Sequence, residues 1–165
     1  DEVMAYFPEK LSTSESEDAV KSYRAMLAIN GWGLWAVDDK ASEEFIGFVG
    51  LKPVINIPYC AASTTPKPSV EIAWRLRRSA WGNGFAREAA RECLRLGFEE
   101  LKLPEVIAFT TVSNKRSQRV MQAIGMRDLQ QNFAHPQVPA DSGLQEHVLY
   151  RIAMEDYLSA CRQPG

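Results

Sequence analysis

No run of about 18 apolar residues, the length that spans a bilayer as a helix, occurs in this 165-residue chain, and no basic-then-apolar leader is visible. Cysteine is scarce. Cys60, Cys93 and Cys161 are odd in number, widely spaced and without a Cys-x-x-Cys pair, which points to reduced thiols and a cytoplasmic protein. Histidine is scarcer still: His135 and His147 stand alone, with no His-Glu-x-x-His run, so no metal site is expected. An excess of positive charge is also missing. The formal net charge is -2, so no global field recruits nucleic acid or an anionic membrane, and any phosphate site must be local. The row Arg87, Arg91, Arg95 reads as a solvated helix face salted by Glu88 and Glu92. Internal repeats and low-complexity tracts are absent. What is present is 45% hydrophobic residues, which suits one domain with a real core and excludes a disordered chain.

The informative stretch is 70–90. Val70, Ile72, Trp74 and Leu76 alternate with Glu71, Ala73 and Arg75, the period of a strand. Arg77, Arg78 and the pair Gly82 and Gly84 follow. Phe85, Ala86, Ala89, Ala90, Cys93 and Leu94 then make a broad apolar helical face. A strand, a glycine turn and a helix start put unpaired N–H groups and a partial positive charge where an anion can touch backbone. Two phosphate motifs are excluded. No Gly-Lys-Ser/Thr follows at P-loop spacing, and Arg87 occupies the place of a third dinucleotide glycine. The glycine pair alone is equally compatible with a tight strand-to-helix connection.

Around this stretch the chain reads as follows. Residues 1–8, with apolar Val3, Met4, Tyr6 and Phe7, begin abruptly, as if mid-domain. Ser12 to Ser14 with Glu15 and Glu17 start a helix that Asn30-Gly31 ends, with Ala19, Tyr23, Met26, Leu27 and Ile29 inward. Leu34–Val37 and Phe45–Leu51 form a hairpin, in which Gly47 and Gly50 permit a bulge or close backbone approach. Pro53 to Pro68 is a long connection whose prolines oppose regular pairing. It reads as a substrate-side loop, against a surface insertion. Val106–Val112 is a buried strand. Ser113-Asn114 caps a short helix ending at Gly125, with Val120, Met121 and Ile124 inward. Arg127–Phe133 reads as one strand, 135–143 as a loop, and Gln145–Met154 as a last strand with Val148, Tyr150 and Ile152 on one face. Residues 155–165 read as a tail.

In this order the elements resemble the GCN5-related N-acetyltransferase (GNAT) superfamily, and within it the branch that acetylates ribosomal-protein N-termini and related amines. The turn Trp81-Gly82-Asn83-Gly84-Phe85-Ala86 is similar to the family's Gln/Arg-x-x-Gly-x-Gly/Ala, with Trp81 where Gln or Arg is usual. Asn114-Lys115-Arg116-Ser117 followed by Gly125-Met126 matches the second signature. Phe133-Ala134-His135-Pro136 and His147-Val148-Leu149-Tyr150-Arg151 also look like this branch. The resemblance implies a single α/β acyl-CoA N-acyltransferase domain over 1–165. Its sheet would be mixed and mostly antiparallel, flanked by helices, with the family's opening strand and helix missing ahead of residue 1. It also implies acetyl-CoA as cosubstrate and an amine as acceptor, attacked directly in a ternary complex.

The resemblance assigns roles residue by residue. Trp81, Gly82, Asn83, Gly84, Phe85 and Ala86, helped by Arg77 or Arg78, would hold the cofactor diphosphate. Leu76 and Arg77 would end the strand edge that meets the pantetheine amides, with Asn114 on the same arm. Glu71 would be the general base and Ser117 the proton donor to the leaving thiolate, because Met121 stands where many members carry a tyrosine. Each has a plainer alternative: Glu71 a surface carboxylate, Asn114 an N-cap, Ser117 a hydroxyl bonded to its own helix, and Arg77 and Arg78 a solvated pair. The loop Pro139–Gln145 departs from the branch's wording. A non-catalytic CoA-binding module, or an interaction protein whose exposed sheet edge pairs in a homodimer, is the rival reading.

Overall fold

The computed structural model describes residues 2–54, 56–62 and 69–162, with the side chains of 61 and 62 excepted. After a single 3-10 turn at Glu2–Met4, helix α1 spans Thr13–Asn30. It starts on a reciprocal cap: Ser12 Oγ accepts the Glu15 N–H at 3.2 Å, and the Glu15 carboxylate accepts the Ser12 N–H at 2.8 Å. Gly31 ends it at φ 74°, with its N–H on Leu27 O. Ala19, Tyr23, Met26 and Leu27 face inward as expected. Ile29, expected inward, is 81% exposed.

Strands β1 (Leu34–Asp39) and β2 (Glu44–Val54) make the hairpin, bulged between Val37 and Asp38. β2 runs further than its prolines suggest, and Pro53 sits in register opposite Val70. The reason is directional. Leu51 donates its N–H to Gly33 O at the start of the β1 side, so Pro53, two residues on, faces that side beyond the end of β1. No donor is needed there. A short helix α2 (Pro58–Ala62) follows, so part of the expected loop is helical, and residues 63–68 of it lie outside the described residues.

Strand β3 (Ser69–Leu76) pairs antiparallel with β2 from Gly47↔Leu76 to Val54↔Ser69. The strand glycines are demanded by contact. A Cβ on Gly50 would lie 2.0 Å from Gly33 O, and one on Gly47 2.2 Å from Arg75 O. Helix α3 (Phe85–Arg95) passes into a π turn at Leu96–Glu100 and leads to β4 (Glu105–Thr111). β3 and β4 are parallel neighbours through a single pair, Glu71↔Ile107. Helix α4 (Lys115–Ala123) is followed by β5 (Arg127–Asp128), β6 (Phe133–Ala134) and β7 (Glu146–Ala153). The single strand expected at 127–133 is thus two, both on β7. Gln130, at φ 54° and donating its N–H to Asp128 Oδ1, turns the chain between them. The expected tail is helix α5 (Met154–Cys161) through Cys161. Tyr157 stacks on Phe98 at 4.9 Å and donates to Glu99.

The result is an α/β fold of the kind the resemblance implies: a seven-stranded mixed sheet in the order β1-β2-β3-β4-β7-β5, with β6 also on β7. Its two faces differ. One packs Val49, Leu51, Ile72, Val106, Tyr150 and Ile152 against Ala90, Cys93 and Leu94 of α3 and Met121 of α4. The other carries the cross-strand neighbours Lys52↔Glu71 and Phe48↔Arg75, with Tyr23 of α1 against Phe48 at 5.6 Å. Among the described residues no helix is long and apolar enough to cross a membrane, and no group of three or more metal-ligating side chains occurs.

Candidate active site

A cleft of about 1000 Å³ opens where β3 and β4 part. Strand β3 runs past the Glu71↔Ile107 pair to Leu76. Arg77 N–H goes to Ile46 O on β2, so by alternation the backbone groups of Trp74 and Leu76 point the other way, into the opening. Leu76 O already accepts the Trp81 indole N–H at 2.8 Å.

That bond explains the aromatic at 81. Trp81 ties the turn back to the strand end, and its ring carries the Arg116 guanidinium at 4.6 Å and that of Arg78 at 5.0 Å. Gly82 and Gly84 follow at φ 83° and 85° with open space around them. The left-handed backbone, rather than crowding, is what requires glycine here. Glu88 is the first residue of α3 to donate to the turn, onto Gly84 O. The N–H groups ahead of it, from Gly84 to Arg87, accordingly have no partner among the described residues at the positive end of the helix. Trp81 to Arg87 all line the cleft.

Glu71 lines it as well, and it is not a surface carboxylate: it is 6% exposed. Lys52 Nζ lies 3.2 Å from its Oε2, near enough to act as a charge, yet Oε2 has no well-aligned hydrogen-bond donor among the described residues. Burial raises the Glu71 pKa, and Lys52 offsets part of that rise. On α4, Asn114 caps the helix, with Oδ1 accepting the Ser117 N–H at 3.2 Å, while Nδ2 donates to Thr110 Oγ1 at 3.0 Å. The plainer reading of Asn114 is therefore realised, though its side chain also lines the cleft. Ser117 faces the cleft, and its hydroxyl makes no hydrogen bond among the described residues. Arg77 is not brought in: its guanidinium pairs with Glu44 outside the cleft, whereas Arg78 lines it while pairing with Glu2.

Among the cleft residues not anticipated as site residues are Lys52, Arg75, His135 and His147. The two histidine rings lie 4.8 Å apart beside Phe109 and Phe133. Burial first, then His147 and Lys52, pushes the His135 pKa down to about 4, and burial lowers that of His147. Both are neutral near pH 7. His147 Nδ1 lies 2.9 Å from Gln145 O, and a carbonyl only accepts, so Nδ1 carries the proton. His135 and His147 stood in the two motifs that look like the branch, without a role assigned; Lys52 and Arg75 are signalled by cross-strand register, which becomes readable once the strand pairing is known.

The acetyltransferase (GNAT) domain profile matches residues 1–127. The chain belongs to the GNAT acetyltransferase family. Its relatives include the FsC-acetyl coenzyme A-N(2)-transacetylase of Aspergillus fumigatus, 33% identical over 131 residues, which are 79% of this chain and 54% of that protein. The uncharacterized protein YkkB of Bacillus subtilis is 38% identical over 96 residues, 58% of this chain and 51% of that one. The chain spans about half the length of these curated relatives. Among solved structures, a GNAT-family acetyltransferase from Bacillus anthracis superposes with a TM-score of 0.69 at 25% identity, over 93% of this chain and 82% of that one. The profile match ends before β6 and β7, so both histidines of the GNAT cleft lie beyond it.

Proposed function

We propose that this GNAT domain transfers an acetyl group from acetyl-CoA to a primary amine, on a protein N-terminus or a small molecule, by direct attack. One observation carries the reading: the free N–H groups at the start of α3 and the buried Glu71 carboxylate open into the same cleft. Bound acetyl-CoA supplies the thioester that the amine attacks. The residues present fit it. N–H groups from Gly82 to Arg87 suit a diphosphate, with Arg78 and Arg116 adding charge nearby. The edge of β3 at Trp74 and the Leu76 N–H, which no strand pairs among the described residues, suit the pantetheine amides, while Leu76 O is held by Trp81.

Glu71 takes the proton from the attacking nitrogen. Its raised pKa brings it closer to that of the amine, which makes it a better base when ionised. A lysine amine near 10.4 needs such help more than an α-amine near 7.7–8.0. Ser117, with its hydroxyl uncommitted, donates to the departing thiolate. Met121 is 2% exposed and has no proton to give. No acyl-enzyme forms at Cys93, whose thiol burial pushes up to about 12. Its three unpaired cysteines suit a reducing, cytoplasmic setting.

Release of free thiol from acetyl-CoA, followed over peptides, amino acids, polyamines and aminoglycosides, tests the reading. Amine-dependent release supports it. Coenzyme A binding with no turnover of any amine would leave a cofactor-binding module instead.

A further inference from the structure

Among the described residues lining the cleft, Glu71 is the only carboxylate, against the cations Lys52, Arg75, Arg78, Arg87, Arg116 and Arg119. Arg78, paired with Glu2, and Arg87 flank or enter the diphosphate turn; Arg116 of α4 rests on Trp81, and Arg119 lies one turn further along the same helix. Lys52 is taken by Glu71. Arg75 is left over. It stands on the Glu71 face of β3, with its guanidinium against Phe7 at 3.9 Å and Phe48 at 5.5 Å. Its Nε is buried without a partner, and no ion pair to it occurs among the described residues. A guanidinium stays charged, and removing its N–H donors from water is unfavourable until an acceptor answers them. Aromatic faces hold the plane but accept no in-plane hydrogen bond. A planar fork of donors with its faces stacked matches a carboxylate.

We infer that the acceptor amine carries a carboxylate, which Arg75 binds while Glu71 receives the amine's proton. This rests on the acetyltransferase reading above and narrows its substrate to amino-acid-like or short peptide-like amines. A polyamine would place further positive charge beside Lys52 and Arg75 with Glu71 alone to answer it. Residues 71 and 75 share a face four positions apart, about 13 Å between backbone positions along a strand, a span that their two side chains shorten to meet an amine and a carboxylate on one acceptor.

The test is a matched panel with acetyl-CoA: amino acids, dipeptides and tripeptides, each as free acid and as C-terminal carboxamide, with spermidine as the polycationic control. The expected result is at least a tenfold higher kcat/KM for the best free acid over its carboxamide. In Arg75→Gln that preference falls to within threefold, through the KM of the acid, and Arg75→Lys recovers part of it. The KM for acetyl-CoA reports whether each variant is folded, and the wild-type panel needs no variant at all. Equal use of acids and carboxamides, or better use of spermidine, overturns the carboxylate inference alone. Coenzyme A binding without turnover of any amine overturns the transferase reading and this one with it.

Discussion

Replacing Glu71 by Gln separates catalysis from stability, because burial sets the two in opposition. The residue is 6% exposed, and among the described residues Lys52 is the one cation paired with it. Positioned proton transfer contributes about 10²–10⁴-fold, or about 3–5 kcal/mol of barrier. Glu71→Gln should therefore lower kcat by that range with a lysine-type amine, and by less with an α-amine that is already part neutral. Stability should move differently. The folded pKa is raised above 4.5, so the folded form holds its proton at pH values where the unfolded chain has lost it. As pH rises through 4.5 toward the folded value, stability falls, and it stays lower beyond. Gln removes that penalty and leaves Lys52, itself 37% exposed, to water. The variant should melt no lower than the parent at pH 7.5 while turning over far more slowly. Rates from thiol release and melting curves across about pH 6–9 decide it. An unchanged rate removes Glu71 from the chemistry. A large drop in melting temperature makes it a structural carboxylate instead.

Three further outcomes are expected. Ser117→Ala should reduce kcat by about tenfold or more, with little change in the KM for acetyl-CoA; unchanged single-turnover rates would return Ser117 to an ordinary helix position. Gly50→Ala should destabilise by about 3 kcal/mol, roughly 6–12 °C in melting midpoint, because its Cβ would meet Gly33 O at 2.0 Å and both atoms are held by strand pairing; a variant as stable as the parent would deny that close approach. His135, with its pKa lowered from 6.5 to about 4, binds its proton less readily folded than unfolded, so its contribution is intact above 6.5 and is lost as pH falls toward 4. His135→Phe should flatten that part of the urea-stability profile, and superimposable profiles would mean the ring is solvated.

Local chemistry written into the chain was legible in advance. The capping box at Ser12 and Glu15, the left-handed Gly31 and the alternation of 70–76 each follow from neighbours a few residues apart, and each is found in the structure. So is the glycine turn into α3, because positive φ at Gly82 and Gly84 is a local demand. Pairing context was harder to read. Pro53 fits inside a strand only because β1 has not yet begun beside it. The break at Gln130 depends on one aspartate oxygen, and α5 is held from a distance by Phe98 and Glu99. The site divides the same way. Glu71 and the turn come from one contiguous stretch, but Lys52, Arg75 and the two histidines join it through sheet register and the return of β7. Glu71 itself looked half exposed in the pattern of β3, and it is buried between the neighbouring strands, beside Lys52 of β2 and Ile107 of β4.

The most direct measurement is a crystal structure of this domain with coenzyme A. The account predicts the diphosphate within hydrogen-bonding distance of backbone N–H groups between Gly82 and Arg87, and the pantetheine arm along the free edge of β3 toward Glu71. A diphosphate held elsewhere, with those N–H groups facing solvent, would contradict it.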